Sequence, residues 1–264
     1  MNRIEKRLAE VTAAHEKAFI TYMTAGLPDM DTTKALIKAQ EEAGTDVLEL
    51  GVPFSDPVAD GPVIQDASYR SLLNGTNLPM IFAAVEEVRK ENCQLPIIFM
   101  MYYNTIMHYG IADFVDKCIQ SGVDGLIVPD LPFEEQTSLR EALDSKENAP
   151  ILIQLVSPVS RQRIPMILEN ARGFVYCVSS MGVTGQDGGF HKDVISYLKN
   201  VKEIANIPVM MGFGIKNASD VEQVKDTIDG CIVGSHFIRI LEESHYDIAA
   251  AKNYITTFKQ ELNA

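Results

Sequence analysis

The stretch Ala43-Gly44-Thr45-Asp46-Val47-Leu48-Glu49-Leu50-Gly51 holds the end of one kind of structure and the start of another. The helical spacing of apolar residues that begins near Thr32 stops at Ala43, and Gly44 can take the left-handed conformation that ends a helix. Beyond it, Val47 to Gly51 is a short apolar run without polar alternation, the mark of a strand buried on both faces. The same passage recurs as Ser121-Gly122-Val123-Asp124-Gly125 and, shortened, as Ile228-Asp229-Gly230-Cys231. It is a weak repeat of a helix-to-strand unit.

Working outward, eight such apolar runs are found, at 18–23, 47–51, 97–101, 125–128, 151–156, 174–178, 209–212 and 231–233. Between and after them lie segments of helical period, at 32–43, 80–91, 112–121, 134–143, 164–170, 192–204, 219–227 and 247–262. Strict alternation predicts a parallel sheet. Eight units predict a closed (β/α)8 barrel of the TIM type rather than an open doubly wound sheet, and the segment after the first strand, Thr24-Ala25-Gly26-Leu27-Pro28, is a poor match to a dinucleotide turn. A charged, amphipathic stretch from Met1 to Ala14 adds an extra N-terminal helix. Two connections exceed what a plain unit needs, 52–77 after strand two and 179–191 after strand six, and both are expected over the site.

The chain has 264 residues, within the range in which one α/β barrel is one domain, so residues 1–264 are read as a single domain. Hydrophobic residues at 46% and charged residues at 22% fit a large core with a solvated shell. A net charge of -13 argues against a nucleic-acid backbone as partner, yet leaves room for a small anion held by main-chain N–H groups. Four scattered cysteines form no CxxC pair, and five histidines have no metal spacing, so no disulfide framework, zinc site or other metal is indicated. Without a signal peptide or an apolar segment near the ~20 residues of a membrane helix, the chain is expected to be soluble and cytoplasmic.

Glu49 interrupts the apolar run of strand two near its carboxyl end. A carboxyl there points into the barrel or toward the helices, and burial raises its pKa in either case. It serves either proton transfer near neutrality or a buried ion pair. Eleven positions on, the segment Pro53-Phe54-Ser55-Asp56-Pro57-Val58-Ala59-Asp60-Gly61-Pro62 is stiffened by prolines, which could hold Asp60 at the barrel mouth facing Glu49. Asp56 and Asp60 also suit turns and helix caps, the reading preferred for Asp56. Strands seven and eight end in Met211-Gly212-Phe213-Gly214 and Val233-Gly234-Ser235, where barrel enzymes build a phosphate cradle, although the glycines also suit tight strand exits. The strand-six loop, Gly182-Val183-Thr184-Gly185-Gln186-Asp187-Gly188-Gly189, is either a cover or a surface loop.

Taken together, Glu49-Leu50-Gly51-Val52-Pro53-Phe54-Ser55-Asp56-Pro57 continuing to Ala59-Asp60-Gly61-Pro62 closely resembles the signature of the tryptophan synthase alpha subunit family. Gly182-Val183-Thr184-Gly185, Gly212-Phe213-Gly214-Ile215 and Val233-Gly234-Ser235 match that family's other landmarks in order. The resemblance implies a lyase that cleaves indole-3-glycerol phosphate to indole and glyceraldehyde 3-phosphate. On it, Glu49 is the acid-base group and Asp60 the partner of the indole N–H, with Thr184 fixing Asp60. Tyr22, Tyr102, Leu126, Ile127 and Tyr176 would wall the indole pocket, and Gly185, Gly214, Gly234 and Ser235 would hold the phosphate. Tyr22 stands where relatives often carry Phe. No cofactor is implied in this chain; pyridoxal phosphate belongs to a beta subunit partner in an alpha2-beta2 tetramer, met through the loop around Pro53 and Asp60. Alternatives are a stand-alone indole-releasing lyase, another phosphate-binding barrel and a non-catalytic activator of a beta subunit.

Overall fold

A computed structural model describes residues 1–178, 192–212 and 214–264. Its strands are β1 (Ala18–Thr24), β2 (Val47–Gly51), β3 (Ile97–Met100), β4 (Gly125–Ile127), β5 (Ile151–Leu152), β6 (Gln154–Val156), β7 (Val175–Cys177), β8 (Val209–Met211) and β9 (Gly230–Val233). All pairings are parallel, and β1 joins β9. The fifth predicted run is split in two: β5 pairs with β4, β6 with β7, and the chain passes from one to the other at Ile153, whose N–H still donates to the Leu126 carbonyl at 2.9 Å. The ring is therefore closed by chain continuity, giving the eight-unit barrel.

Around it lie α1 (Arg3–Ala13), α2 (Met30–Ala43), α3 (Pro62–Leu73), α4 (Leu78–Lys90), α5 (Tyr103–Tyr109), α6 (Ile111–Ser121), α7 (Thr137–Asp144), α8 (Ile164–Leu168), α9 (Lys192–Ile204), α10 (Ser235–Glu243) and α11 (Ile248–Leu262). Two predicted helices change form. The 134–143 segment starts as a 3-10 turn, Phe133–Glu135, after Pro132, and 219–227 is a 3-10 helix, Ala218–Val224, opened by a capping box between Asn217 and Asp220. The connection after β2 is also not the open loop expected: Gly61 caps α3 and Pro62 occupies its first turn, leaving an irregular part from Val52 to Gly61. The strand-six connection, with Thr184 and Gly185, lies outside the described residues.

Side-chain parity along the strands separates an inner from an outer core. Ala18, Ile20, Val47, Ile98, Ile127, Ile151, Ile153, Phe174, Met210 and Ile232 fill the barrel, whereas Phe19, Leu48, Leu50, Phe99 and Leu126 belong to the layer beneath the helices. The N-terminal helix seals the barrel: Ile4, Leu8 and Val11, spaced along one face of α1, join the inner cluster, each contributing about 1.5–3 kcal/mol by burial.

The helix-to-strand repeat has a second cause besides its glycine. Gly44 and Gly122 are left-handed caps at φ 100° and 81°. Gly230 is not; it lies within β9, where an added Cβ would meet the Ala18 carbonyl oxygen at 2.4 Å. What all three passages share is the aspartate. Asp46 accepts the Phe19 N–H at 2.7 Å, Asp124 the Ile97 N–H at 2.9 Å and Asp229 the Val209 N–H at 2.7 Å, so each ties its own strand entry to the preceding part of the sheet. Each also meets cations: Arg7 and Lys259 at Asp46, Arg3 and Arg89 at Asp124, Lys202 at Asp229.

Candidate active site

The direction of the Glu49 side chain is settled by parity. Val47 faces the barrel interior, so Glu49, two residues on, faces it too, in register with Tyr22 of β1 and Ile98 of β3. The carboxyl is 1% exposed, and its Oε1 is buried without a hydrogen-bond partner. Burial alone pushes its pKa up to about 8. A buried carboxyl of that kind is held as the neutral acid at pH 7, ready to give up a proton and take it back.

Asp60 reaches the site from the connection after β2. Its N–H donates to the Pro57 carbonyl at 3.1 Å, and Gln65 Nε2 donates to its carbonyl at 2.9 Å, fixing the turn just before α3. The Tyr102 hydroxyl donates to Asp60 Oδ2 at 3.0 Å and accepts the Ala59 N–H at 3.0 Å, while the Tyr102 ring stacks on Phe54 with centroids 5.0 Å apart. Tyr102 therefore positions Asp60 and is absent from the cavity lining, where the resemblance would set it as a wall. Burial raises the Asp60 carboxyl to about 6, with the Tyr102 hydrogen bond pulling in the other direction. Asp56, by contrast, is exposed; its carboxylate accepts the neighbouring Ser55 hydroxyl at 2.6 Å and its carbonyl the Val58 N–H at 2.9 Å, the pattern of a turn residue.

A cavity of about 720 Å³ opens at the carboxyl ends of the strands. Asp60, Ile127, Tyr176, Gly214, Gly234 and Ser235 all line it. Glu49 and Tyr22, register partners on β2 and β1, are both buried at the barrel interior. Tyr176 lines the cavity, and its hydroxyl pKa is driven well up by burial and then by the charges of Glu49 and Asp60. Tyr22, on β1 beside Glu49, is raised by burial, then by Asp60 and Glu49 as well. Both rings depend on glycine neighbours, since a Cβ on Gly51 would meet the Tyr22 hydroxyl at 2.1 Å and one on Gly212 the Tyr176 hydroxyl at 2.6 Å.

Leu126 is not brought to the site. It is fully buried in the outer layer, because adjacent residues of a strand face opposite ways and Ile127 takes the inward direction. Sequence reasoning also misses Met100, Leu155, Val178 and Ile232, which line the cavity as inward positions at strand ends. Taking Val47 as inward and carrying that parity around the register finds them. Lys216, His236 and Arg239 line the cavity too, with no signal in the sequence to mark them.

The far part of the lining carries main-chain donors at a helix start. Gly214 is left-handed at φ 64°, and Gly234 caps α10 with no side chain accepting from the first turn, so the leading N–H groups of Ser235 and its successors have no side-chain cap. Among the described residues, no cluster of three or more His, Cys, Asp or Glu could hold a metal, and all four cysteines are buried and free. No helix there is long and apolar enough to cross a membrane.

Known proteins share both the sequence and the barrel. The family model described as tryptophan synthase alpha chain matches residues 8–264. A tryptophan synthase alpha chain from Lachnospira eligens is 61% identical over 264 residues, covering all of both chains. One from a Thermoanaerobacter species is 41% identical over 265 residues, covering 99% of this chain and 100% of that one. The crystal structure of tryptophan synthase subunit alpha from Legionella pneumophila superposes with a TM-score of 0.89 at 33% identity, covering 99% of this chain and 98% of the other.

Proposed function

The chain belongs to the tryptophan synthase alpha chain family, a lyase of tryptophan biosynthesis that cleaves indole-3-glycerol phosphate, and from that premise we propose that Glu49 and Asp60 are its acid-base pair. The observation that carries this is the buried Glu49 carboxyl, raised to about 8 with its Oε1 unpartnered, on the strand whose connection brings Asp60, raised to about 6, to the cavity. Two carboxyls with separated pKa values can hold different protonation states at one pH. Near neutrality Glu49 carries its proton and Asp60 is mostly ionised.

Glu49 donates its proton to the indole ring carbon that bears the glycerol phosphate chain. The ring nitrogen then carries positive charge, which the Asp60 carboxylate stabilises through the N–H. Glu49, now a carboxylate, takes the proton from the hydroxyl on the adjacent side-chain carbon. The carbon–carbon bond breaks, its electron pair returns to the ring to regenerate indole, and the hydroxyl carbon becomes the aldehyde of glyceraldehyde 3-phosphate. Glu49 ends protonated, as it began. Tyr22, Ile127 and Tyr176 shape the indole end. The amides around Gly214, Gly234 and Ser235 hold the phosphate, with Thr184 and Gly185 assigned to the closing loop by family resemblance alone.

This proton chemistry asks nothing of a cofactor in this chain, and pyridoxal phosphate is assigned to the beta subunit. Residues 1–264 act as one domain in the cytoplasm, in an alpha2-beta2 tetramer met through the loop around Pro53 and Asp60. Support for that contact is Val58, an apolar residue 83% exposed on the same loop. The test is an assay of the purified chain on indole-3-glycerol phosphate, following glyceraldehyde 3-phosphate with and without beta subunit. Cleavage that rises on adding beta subunit is expected. An unchanged rate would favour the stand-alone lyase, and no cleavage in either case would leave only a non-catalytic activator.

A further inference from the structure

Charge in the cavity lining is segregated by strand. The carboxyl of Asp60 comes from the β2 connection, whereas Lys216, His236 and Arg239 come from the connections after β8 and β9, beside Gly214, Gly234 and Ser235. Lys216 is held by its main chain at both polar atoms. Its N–H donates to Asp220 Oδ2 at 2.8 Å, and its carbonyl accepts the Tyr254 hydroxyl at 2.8 Å. Tyr254 in turn lies edge-on to His236, with centroids 5.6 Å apart, and stacks on Phe237. Asp220 Oδ2 also accepts the Asn217 N–H, at 2.9 Å, so that carboxylate is engaged by backbone.

Arg239 stands one helical turn after Ser235 on α10, on the same face as the residue that opens the helix. Both Lys216 and Arg239 are exposed, and neither makes an ion pair with a described residue, although salt bridges are frequent elsewhere on this surface. The two charges are close enough to His236 to lower its imidazole pKa, after the larger effect of burial. In a chain of net charge -13, a doubly charged ligand approaches against the overall field. Two cations unpaired among the described residues, at the mouth of the anion cradle, supply the local attraction that the whole molecule lacks.

We infer that Lys216 and Arg239 are positioning residues for the substrate's phosphate, neutralising the dianion above the main-chain cradle and setting which end of the substrate enters beside Ser235. This rests on the phosphate assignment proposed above. The amides fix where the phosphate sits; the two side chains decide how strongly a dianion is preferred over a neutral glycerol chain.

The test uses the full chain assembled with beta subunit, with Lys216→Gln and Arg239→Gln made singly and together. KM for indole-3-glycerol phosphate and the inhibition constant for inorganic phosphate are both expected to rise by about tenfold in each single variant, with kcat moving less than about twofold. Lys216→Arg and Arg239→Lys should keep both constants near the starting values, and the double Gln variant should flatten the fall of kcat/KM with added salt. Unchanged KM and inhibition constant, or a fall in kcat at unchanged KM, overturns the inference. Phosphate that competes in the unaltered enzyme and equally in both Gln variants removes only the role of the two cations. Phosphate that fails to compete even in the unaltered enzyme removes the phosphate assignment and this inference with it.

Discussion

Asp46 and Glu49 lie three residues apart on one strand run and are equally buried, at 0% and 1% exposure, yet the protein treats them in opposite ways. Asp46, at the entry of β2, accepts the Phe19 N–H and meets Arg7 and Lys259. Asp124 and Asp229 are served similarly at the entries of β4 and β9. Glu49, near the exit of β2, has an oxygen with no partner at all. Burial of a charge is tolerable when hydrogen bonds and counter-charges replace water, and it is costly when they do not. The entry face of the barrel thus uses its carboxyls to hold strands together, and the exit face leaves the Glu49 carboxyl without such ties, as the proposed proton transfer requires. Stability and chemistry are separated along the length of the strands.

The largest effect should come from Glu49→Gln, which keeps shape and removes the proton carrier. Lyase turnover is expected to fall by about 10³-fold or more, measured as glyceraldehyde 3-phosphate release, with the fold intact by circular dichroism. Asp46→Asn should do the reverse. It leaves Lys259 and Arg7 facing a neutral amide and is expected to cost about 3 kcal/mol in denaturant unfolding, with turnover per folded molecule unchanged. If Glu49→Gln unfolds the chain and Asp46→Asn does not, the contrast between the two faces is wrong.

A third effect concerns pH. Below about pH 4.5 folded and unfolded chains both carry the Glu49 proton, and the residue costs nothing. Between there and about 8 the unfolded chain releases the proton while the folded chain keeps it, so stability drops as pH rises. Glu49→Gln removes that slope. The variant is expected to be more stable than the parent above pH 8, by up to about 5 kcal/mol, with the gap closing below about pH 5, as read from denaturation midpoints across pH. A gap independent of pH would show that Glu49 is already partnered.

Smallest is Tyr102→Phe. Its hydroxyl is what holds the Asp60 carboxyl down toward about 6, so the acid limb of the kcat/KM profile should move up and the rate at neutral pH should fall by about tenfold. A profile with an unmoved acid limb would place Tyr102 back among the pocket walls.

Much of the barrel and of the proposed acid pair is legible in the residues. A charge inside the apolar run 47–51 announces itself, and the eight runs emerge as apolar clusters bounded by glycine, proline and polar residues. Direction is not legible. Strands buried on both faces carry apolar residues at every position, so Leu126 and Ile127 look alike until the register sends one to the helices and the other to the barrel. Helix α3 is hidden because the face it buries consists of Ala67, Ser68 and Ser71, which form no apolar stripe, while Tyr69 and Leu73 point outward. Tyr102 passes for a wall in sequence because its value lies in a hydroxyl bond to a residue 42 positions away. Lys216 and Arg239 are ordinary surface cations in sequence, each near its own glycine turn, and only folding brings the two connections to one cavity.

The proposed catalysis requires Glu49 to be a buried acid with an oxygen that the protein leaves unsatisfied. A carboxyl titration by carbon-13 NMR or infrared difference spectroscopy, taken as the parent minus Glu49→Gln, isolates that one group. A midpoint of about 8 is the predicted result, and a midpoint near the usual 4.5 would contradict it.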